Sequence, residues 1–130
     1  MKSIKKVGVW MDYSVAHIME FSENPFEIET IESKFISNEN NDAFSKDEKQ
    51  LHSKERQFRT DYFKQIASVL LGYDKVLLFG PTNAKTELYN LLQKDKRFLK
   101  IKIQTIETSK MTVNQRNKFI HDHFASPLYK

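Results

Sequence analysis

The stretch "KVLLF", Lys75 to Phe79, followed at once by Gly80-Pro81, constrains this chain more than any other. A strand sends successive side chains to opposite faces, so four apolar residues in a row, Val76 to Phe79, need cover on both faces. That is the environment of a parallel strand inside a sheet flanked by helices. Gly80-Pro81 turns the chain. Thr82 or Asn83 can then cap a helix that runs through Leu92, with Leu88, Leu91 and Leu92 on its apolar face. Gly80 to Thr86 invites comparison with a phosphate-binding loop, which needs G-x-x-x-x-G-K-[ST]. Here Ala84 precedes Lys85, the spacing is one residue short and Pro81 has no amide to donate, so no nucleotide is expected. Lys85 falls in the first turn of its helix, where the dipole disfavours a cation. A solvated lysine is the plain expectation, and a specific role for Lys85 is the alternative.

The segments before this strand read as a meander. Lys5–Met11, Val15–Phe21 and Phe26–Ser33 are short, β-rich and joined by turn-sized gaps, the second carrying Asn24-Pro25. The third alternates apolar and acidic residues (Glu27, Glu29, Glu32), with one slip in phase at Thr30-Ile31 where a bulge would fit. Residues 36–50 lose this period and are rich in Asn, Ser, Asp and Glu, so a mobile loop is expected there. Ser45 and Glu48 stand at capping-box spacing, an early place for the next helix to begin. Phe58, Tyr62, Ile66, Val69 and Leu70 then follow a 3.6-residue period, with Lys54, Arg56, Arg59 and Lys64 off that stripe, and Gly72 stops the helix. Ile101–Ile106 alternates as a last strand. Thr112 and Gln115 open a closing helix whose buried face is Phe119, Ile120 and Phe124. A meander followed by strand–helix crossovers predicts an α/β fold, with a mixed five-stranded sheet in the order 3-2-1-4-5 and three helices.

The totals fit one domain over residues 1–130, long enough to bury about two thirds of its unfolded surface. The chain has no cysteine, hence no disulfide, thiolate site or cysteine nucleophile, in keeping with a reducing cytoplasm. The N-terminal apolar run ends at Asp12, too short for an export signal, and no stretch is long and apolar enough for a membrane span. A cytoplasmic protein without a membrane partner is expected. The net charge of +4 conceals an asymmetry: residues 1–50 carry six Lys/Arg against ten Asp/Glu, residues 51–130 fifteen against seven. The basic second half suits attraction to phosphate backbones, or is a solvated surface.

Candidate chemistry is sparse. Asp12 ends the first strand, where a nuclease of the ribonuclease-H type places a metal-binding carboxylate, but the end of the fourth strand offers Gly80-Pro81 where a second acid belongs. Asp12 also reads as a turn residue bonding the backbone toward Ser14. His121 and His123 are not spaced to share a metal from one helix, and neither a metal site nor a cofactor is expected. Tyr62, Phe63, Phe98 and Phe119 read as core.

The element order and three stretches carry a resemblance. They are "VGVWMDYSVAHIMEF", "RQFRTDYFKQIASVLLGYDKVLLFGPTNAKTEL" and "RFLKIKIQTIETSKMTVNQRNKFI". Together they resemble the middle, ribonuclease-H-like domain of the class-1 translation release factors of archaea and eukaryotes and of Pelota, and more closely the short stand-alone bacterial proteins related to that domain. Gly80, Pro81, Lys85 and Leu88, with Asn114-Gln115, are the positions that match. The resemblance implies a fold signature at Gly80–Leu88. It also implies a role in translation, with ribosomal or transfer RNA as the partner. Release factors carry Gly-Gly-Gln in the loop before the long helix, whereas residues 36–52 contain no glycine, so hydrolytic release is not implied and a non-catalytic binding module is expected. Its phosphate contacts would come from Lys54, Arg56, Arg59, Lys64, Lys85, Arg97, Lys100 and Lys102. The alternatives are a protein-interaction or homo-oligomeric module using the acidic third strand and, third, a metal nuclease through Asp12.

Overall fold

The computed structural model describes the backbone of residues 4–21, 26–33 and 48–125. Five strands, β1 (Lys6–Met11), β2 (Val15–Glu20), β3 (Phe26–Glu32), β4 (Lys75–Gly80) and β5 (Lys102–Glu107), form one sheet in the order β3-β2-β1-β4-β5. Three helices, α1 (Glu48–Leu70), α2 (Ala84–Gln93) and α3 (Val113–Ala125), and a 3-10 turn at Lys96–Phe98 complete the chain. The β1–β2 and β2–β3 pairs are antiparallel, and the β1–β4 and β4–β5 pairs are parallel. The expected order therefore stands. Residues 36–47 of the expected loop lie outside the described residues, while 48–50 already belong to α1.

The four apolar residues of β4 divide between two cores, as their uninterrupted run requires. Val76 and Leu78 point to the face covered by α1 and α2, where they join Val7, Val9, Tyr62, Ile66, Leu70, Leu88 and Leu92. Leu77 and Phe79 point to the other face and meet Trp10, Met19, Ile120 and Phe124 under α3. Burying one such large side chain is worth about 1.5–3 kcal/mol, so β4 alone anchors both layers. Phe119 of α3, half-buried, stacks on Phe79 with ring centroids 4.8 Å apart.

Local chemistry sets the element ends. Thr112 Oγ1 accepts from the Gln115 amide at 3.2 Å and Gln115 Oε1 accepts from the Thr112 amide at 2.9 Å, the reciprocal capping box expected for α3. At α2 the Thr82 hydroxyl accepts from the Ala84 amide at 3.2 Å, whereas Asn83 is the N-cap without a side-chain bond. Two expectations move. The bulge of β3 falls at Ile28 rather than at Thr30-Ile31: Met19 pairs with Glu27 and Ile18 with Glu29, which leaves Ile28 as the extra residue. Leu91 is not on the buried face of α2. It is 42% exposed, because Leu88 and Leu92 already fill that stripe.

Two glycines mark close approaches. A Cβ on Gly8 would lie 2.6 Å from the Ile120 side chain, so α3 rests directly on β1 there. Gly80 adopts φ +148°, and a Cβ on it would sit 2.1 Å from the Met11 carbonyl oxygen. A methyl group cannot displace backbone as it can displace the tip of an isoleucine. Gly80→Ala is therefore expected to lower stability by about 3 kcal/mol or more, and Gly8→Ala by about 1–2 kcal/mol. Urea denaturation of the two variants checks this ranking; a Gly80→Ala protein as stable as the parent contradicts it.

Candidate nucleic-acid interface

The buried stripe of α1 (Tyr62, Phe63, Ile66, Ala67, Leu70) leaves Lys54, Arg56 and Lys64 exposed to solvent. Where the last turns of α1 meet the end of α2, Lys64 is joined by Lys94, Lys96 and Arg97. These four cations surround a groove of about 780 Å³ whose apolar lining is Ala67, Leu91 and Leu92. Asp95 also lines it and holds the Arg97 guanidinium at 2.7 Å; the same contact draws the Asp95 carboxyl below its usual range. Lys100 and Lys102 are exposed in the segment that follows.

Not every cation singled out from the sequence belongs to this face. Lys102 is in register with Lys75, and Lys75 with Lys6, so by strand alternation all three lie on the α3 side of the sheet, away from α1. Arg59 is engaged: its guanidinium stacks 4.8 Å from the Tyr13 ring centroid and pairs with Glu55 at 3.6 Å and Glu87 at 3.5 Å.

Lys85 departs furthest from expectation. It is 3% exposed, and its ammonium donates to the Thr82 carbonyl and to the Glu107 carboxylate, both at 2.6 Å. The cost of a cation in the first turn of α2 is offset by that carboxylate at the end of β5. Lys85 thus ties the strand-to-helix turn to the next strand, and is withdrawn from the set of phosphate contacts and from the solvated surface alike. The other matching positions also have roles in the fold: Gly80 and Pro81 turn the chain, Leu88 is core and Gln115 caps α3, while Asn114 is exposed.

Sequence reasoning missed Arg116, which is 7% exposed. It donates to the Met111 carbonyl at 3.2 Å, lies 5.7 Å from the Trp10 ring centroid and faces Glu27 at 3.7 Å. The signal was present: Arg116, Ile120 and Phe124 recur at helical spacing of four, which places the arginine on the buried stripe.

The carboxyl ends of the strands hold a polar cluster built on Asp12. Its Oδ1 accepts from the Ser14 amide at 2.7 Å and the Val15 amide at 2.9 Å, the turn role weighed from the sequence. Its carbonyl accepts from the Tyr62 hydroxyl at 2.7 Å, and the neighbouring Tyr13 hydroxyl donates to Glu87. Asp12 is engaged with its turn, Glu87 with Tyr13 and Arg59, and Glu107 with Lys85. Among the described residues no group of three His, Cys, Asp or Glu comes together to hold a metal, and no helix is long and apolar enough to cross a membrane.

No family model matches the chain, and no curated protein matches it. Solved structures do. The chain is similar to the Pelota protein of Archaeoglobus fulgidus (TM-score 0.60, 11% identity, 92% of this chain and 31% of that one). It is similar to the Pelota protein of Thermoplasma acidophilum (TM-score 0.60, 16% identity, 95% and 33%). A third neighbour is the archaeal translation termination factor aRF1 (TM-score 0.59, 15% identity, 88% and 32%). At these identities the likeness is one of fold, and the chain spans about a third of each neighbour. With the 3-2-1-4-5 order, it gives the α/β, ribonuclease-H-like fold that the sequence resemblance implied.

Two measurements check the assigned roles. Lys85→Ala is expected to cost about 2–4 kcal/mol in urea denaturation, because it opens a cavity and takes the ammonium donor from the Thr82 carbonyl, while the exposed Glu107 carboxylate rehydrates. Exposed Lys64→Ala should stay within about 0.5 kcal/mol. Equal stability of the two variants would contradict a structural Lys85. For the tyrosines, burial first and then the neighbouring carboxylates push Tyr13 and Tyr73 up to about 12 from an ordinary 10.0, and burial holds Tyr62 higher still. A raised folded-state value favours the protonated fold. This contribution to stability is therefore complete below pH ~10 and is lost as the pH climbs from there toward ~12. Ultraviolet titration should show these three phenols ionising above pH ~10 and together with alkaline unfolding.

Proposed function

We propose that this chain is a translation-associated module that binds ribosomal or transfer RNA without catalysing peptide release. The observation that carries this reading is the set of exposed cations along α1, Lys54, Arg56 and Lys64, with Lys94, Lys96 and Arg97 beside Lys64 at the α1–α2 boundary, on a fold shared with Pelota and aRF1. Lysine and arginine at a solvent boundary release counterions when they neutralise phosphates, which gives affinity without sequence preference. Lys100 extends the cationic set, and Lys102 adds a contact only if RNA also wraps the α3 side. The absence of glycine from residues 36–52 supports binding rather than hydrolysis. The resemblance to short bacterial proteins built on the release-factor middle domain points the same way.

A second reading, a protein-interaction or oligomeric module, is favoured by β3. It is an edge strand of the described sheet, and Glu27 to Thr30 are exposed along it.

Co-sedimentation with ribosomes separates the two. The RNA reading expects binding at low salt that falls about 10-fold or more between 50 and 200 mM salt, and a loss of similar size in the Lys54→Glu/Arg56→Glu variant. Salt-insensitive association, or association that survives RNase treatment of the lysate, supports the protein reading instead.

A further inference from the structure

We infer that the groove between the ends of α1 and α2 docks an acidic, amphipathic helical segment of a partner protein. Three features of the groove point to that occupant. Among the described residues its boundary carries Lys64, Lys94, Lys96 and Arg97 and one carboxylate, Asp95, which pairs with Arg97 at 2.7 Å and leaves the three lysines in excess. Its apolar lining, Ala67, Leu91 and Leu92, includes a leucine that is 42% exposed although its helix neighbours Leu88 and Leu92 are buried. Its volume of about 780 Å³ is of the size that receives several side chains together.

A nucleic acid could use the cations but not the apolar surface. Among the described residues no aromatic ring lines the groove for a base to stack on. The Ser68 hydroxyl, its neutral polar side chain, donates to the Gln65 carbonyl at 2.8 Å and is engaged within α1. A ligand that fills the groove must bring an apolar side chain for the exposed Leu91 and negative charges for the surrounding lysines. An acidic peptide with an apolar stripe supplies both.

The geometry also favours a helix as the bound form. Lys64, Ala67 and Ser68 lie at i, i+3 and i+4 on one face of α1, and Leu91 and Leu92 come from the last turn of α2. A third helix laid across two helix ends offers its own residues at i and i+3 or i+4 to the space between them. This assignment shares Lys64, Lys94, Lys96 and Arg97 with the RNA reading, and Lys54 and Arg56, which do not line the groove, separate the two experimentally.

The test uses the full chain and a fluorescein-labelled synthetic helical peptide of Glu, Leu and Ala, with its leucines at i, i+4 and i+7. The control has the same composition with its leucines dispersed around the helix. In fluorescence anisotropy at about 0.15 M salt, the striped peptide should bind about 10-fold tighter than the control. Leu91→Glu, at an exposed position that leaves the fold intact, should abolish that difference. Lys96→Glu/Arg97→Glu should weaken both peptides, and Lys54→Glu/Arg56→Glu should leave peptide binding unchanged. Amide shifts in NMR should centre on Ala67, Ser68, Leu91 and Leu92. Equal binding of the two peptides, or an unaltered Leu91→Glu variant, overturns the assignment. A single-stranded oligonucleotide that displaces the peptide and shifts the same amides makes the groove an RNA site: the protein assignment then fails while the RNA reading stands. Failure of RNA binding in Lys54→Glu/Arg56→Glu with peptide binding retained gives the converse separation.

Discussion

The parallel pairing of β1 with β4, from Lys6 opposite Lys75 to Trp10 opposite Phe79, is the contact on which the other layers depend. Parallel strands cannot be joined by a tight turn, so the chain must leave the sheet after the meander and return through a helix. That return is α1. Both strands are buried on two faces, so one side of the sheet has to be closed by α1 and α2 and the other by α3. The fit is closest at two glycines. Gly8 lets α3 rest on β1, and Gly80 lets the end of β4 pass the Met11 carbonyl at a distance no side chain permits. The crowding that demands glycine at position 80 thus follows from the same strand pair that organises the cores.

Electrostatics follow from this arrangement rather than from composition. The basic second half of the chain is not one cationic surface. Lys85 and Arg116 are turned inward, each answered by a carboxylate contributed from elsewhere in the sheet, Glu107 and Glu27. Arg59 is engaged by Tyr13, Glu55 and Glu87. What remains outward on the α1–α2 side is a smaller set concentrated where two helix ends meet, and there it surrounds leucine rather than open solvent. Long basic side chains beside an uncovered leucine favour ligands that combine both characters.

Most of the frame could be read from the residues because its causes are local. The uninterrupted "VLLF" demands two covered faces, the alternation of "IKIQTI" gives a strand, and Thr112 with Gln115 supplies both halves of a capping box. The shift of the bulge to Ile28 was less legible. A one-residue slip leaves the same alternation on either side, and only the partner strand shows which residue is unpaired. Leu91 was misplaced for a related reason: three leucines fit the stripe of α2, but the space beneath holds two.

Sequence by itself determined the order of elements, the need for a strand covered on both faces, the capping box of α3 and the excess of positive charge in the second half. These follow from backbone geometry and side-chain periodicity, which act over a few residues. Tertiary structure decided which charges reach solvent. Lys85 and Lys64 are indistinguishable as letters, yet one is enclosed by Thr82 and Glu107 and the other borders a groove. That difference depends on Glu107, 22 residues away in the chain, and on desolvation, which is a property of a packed volume and not of a linear neighbourhood.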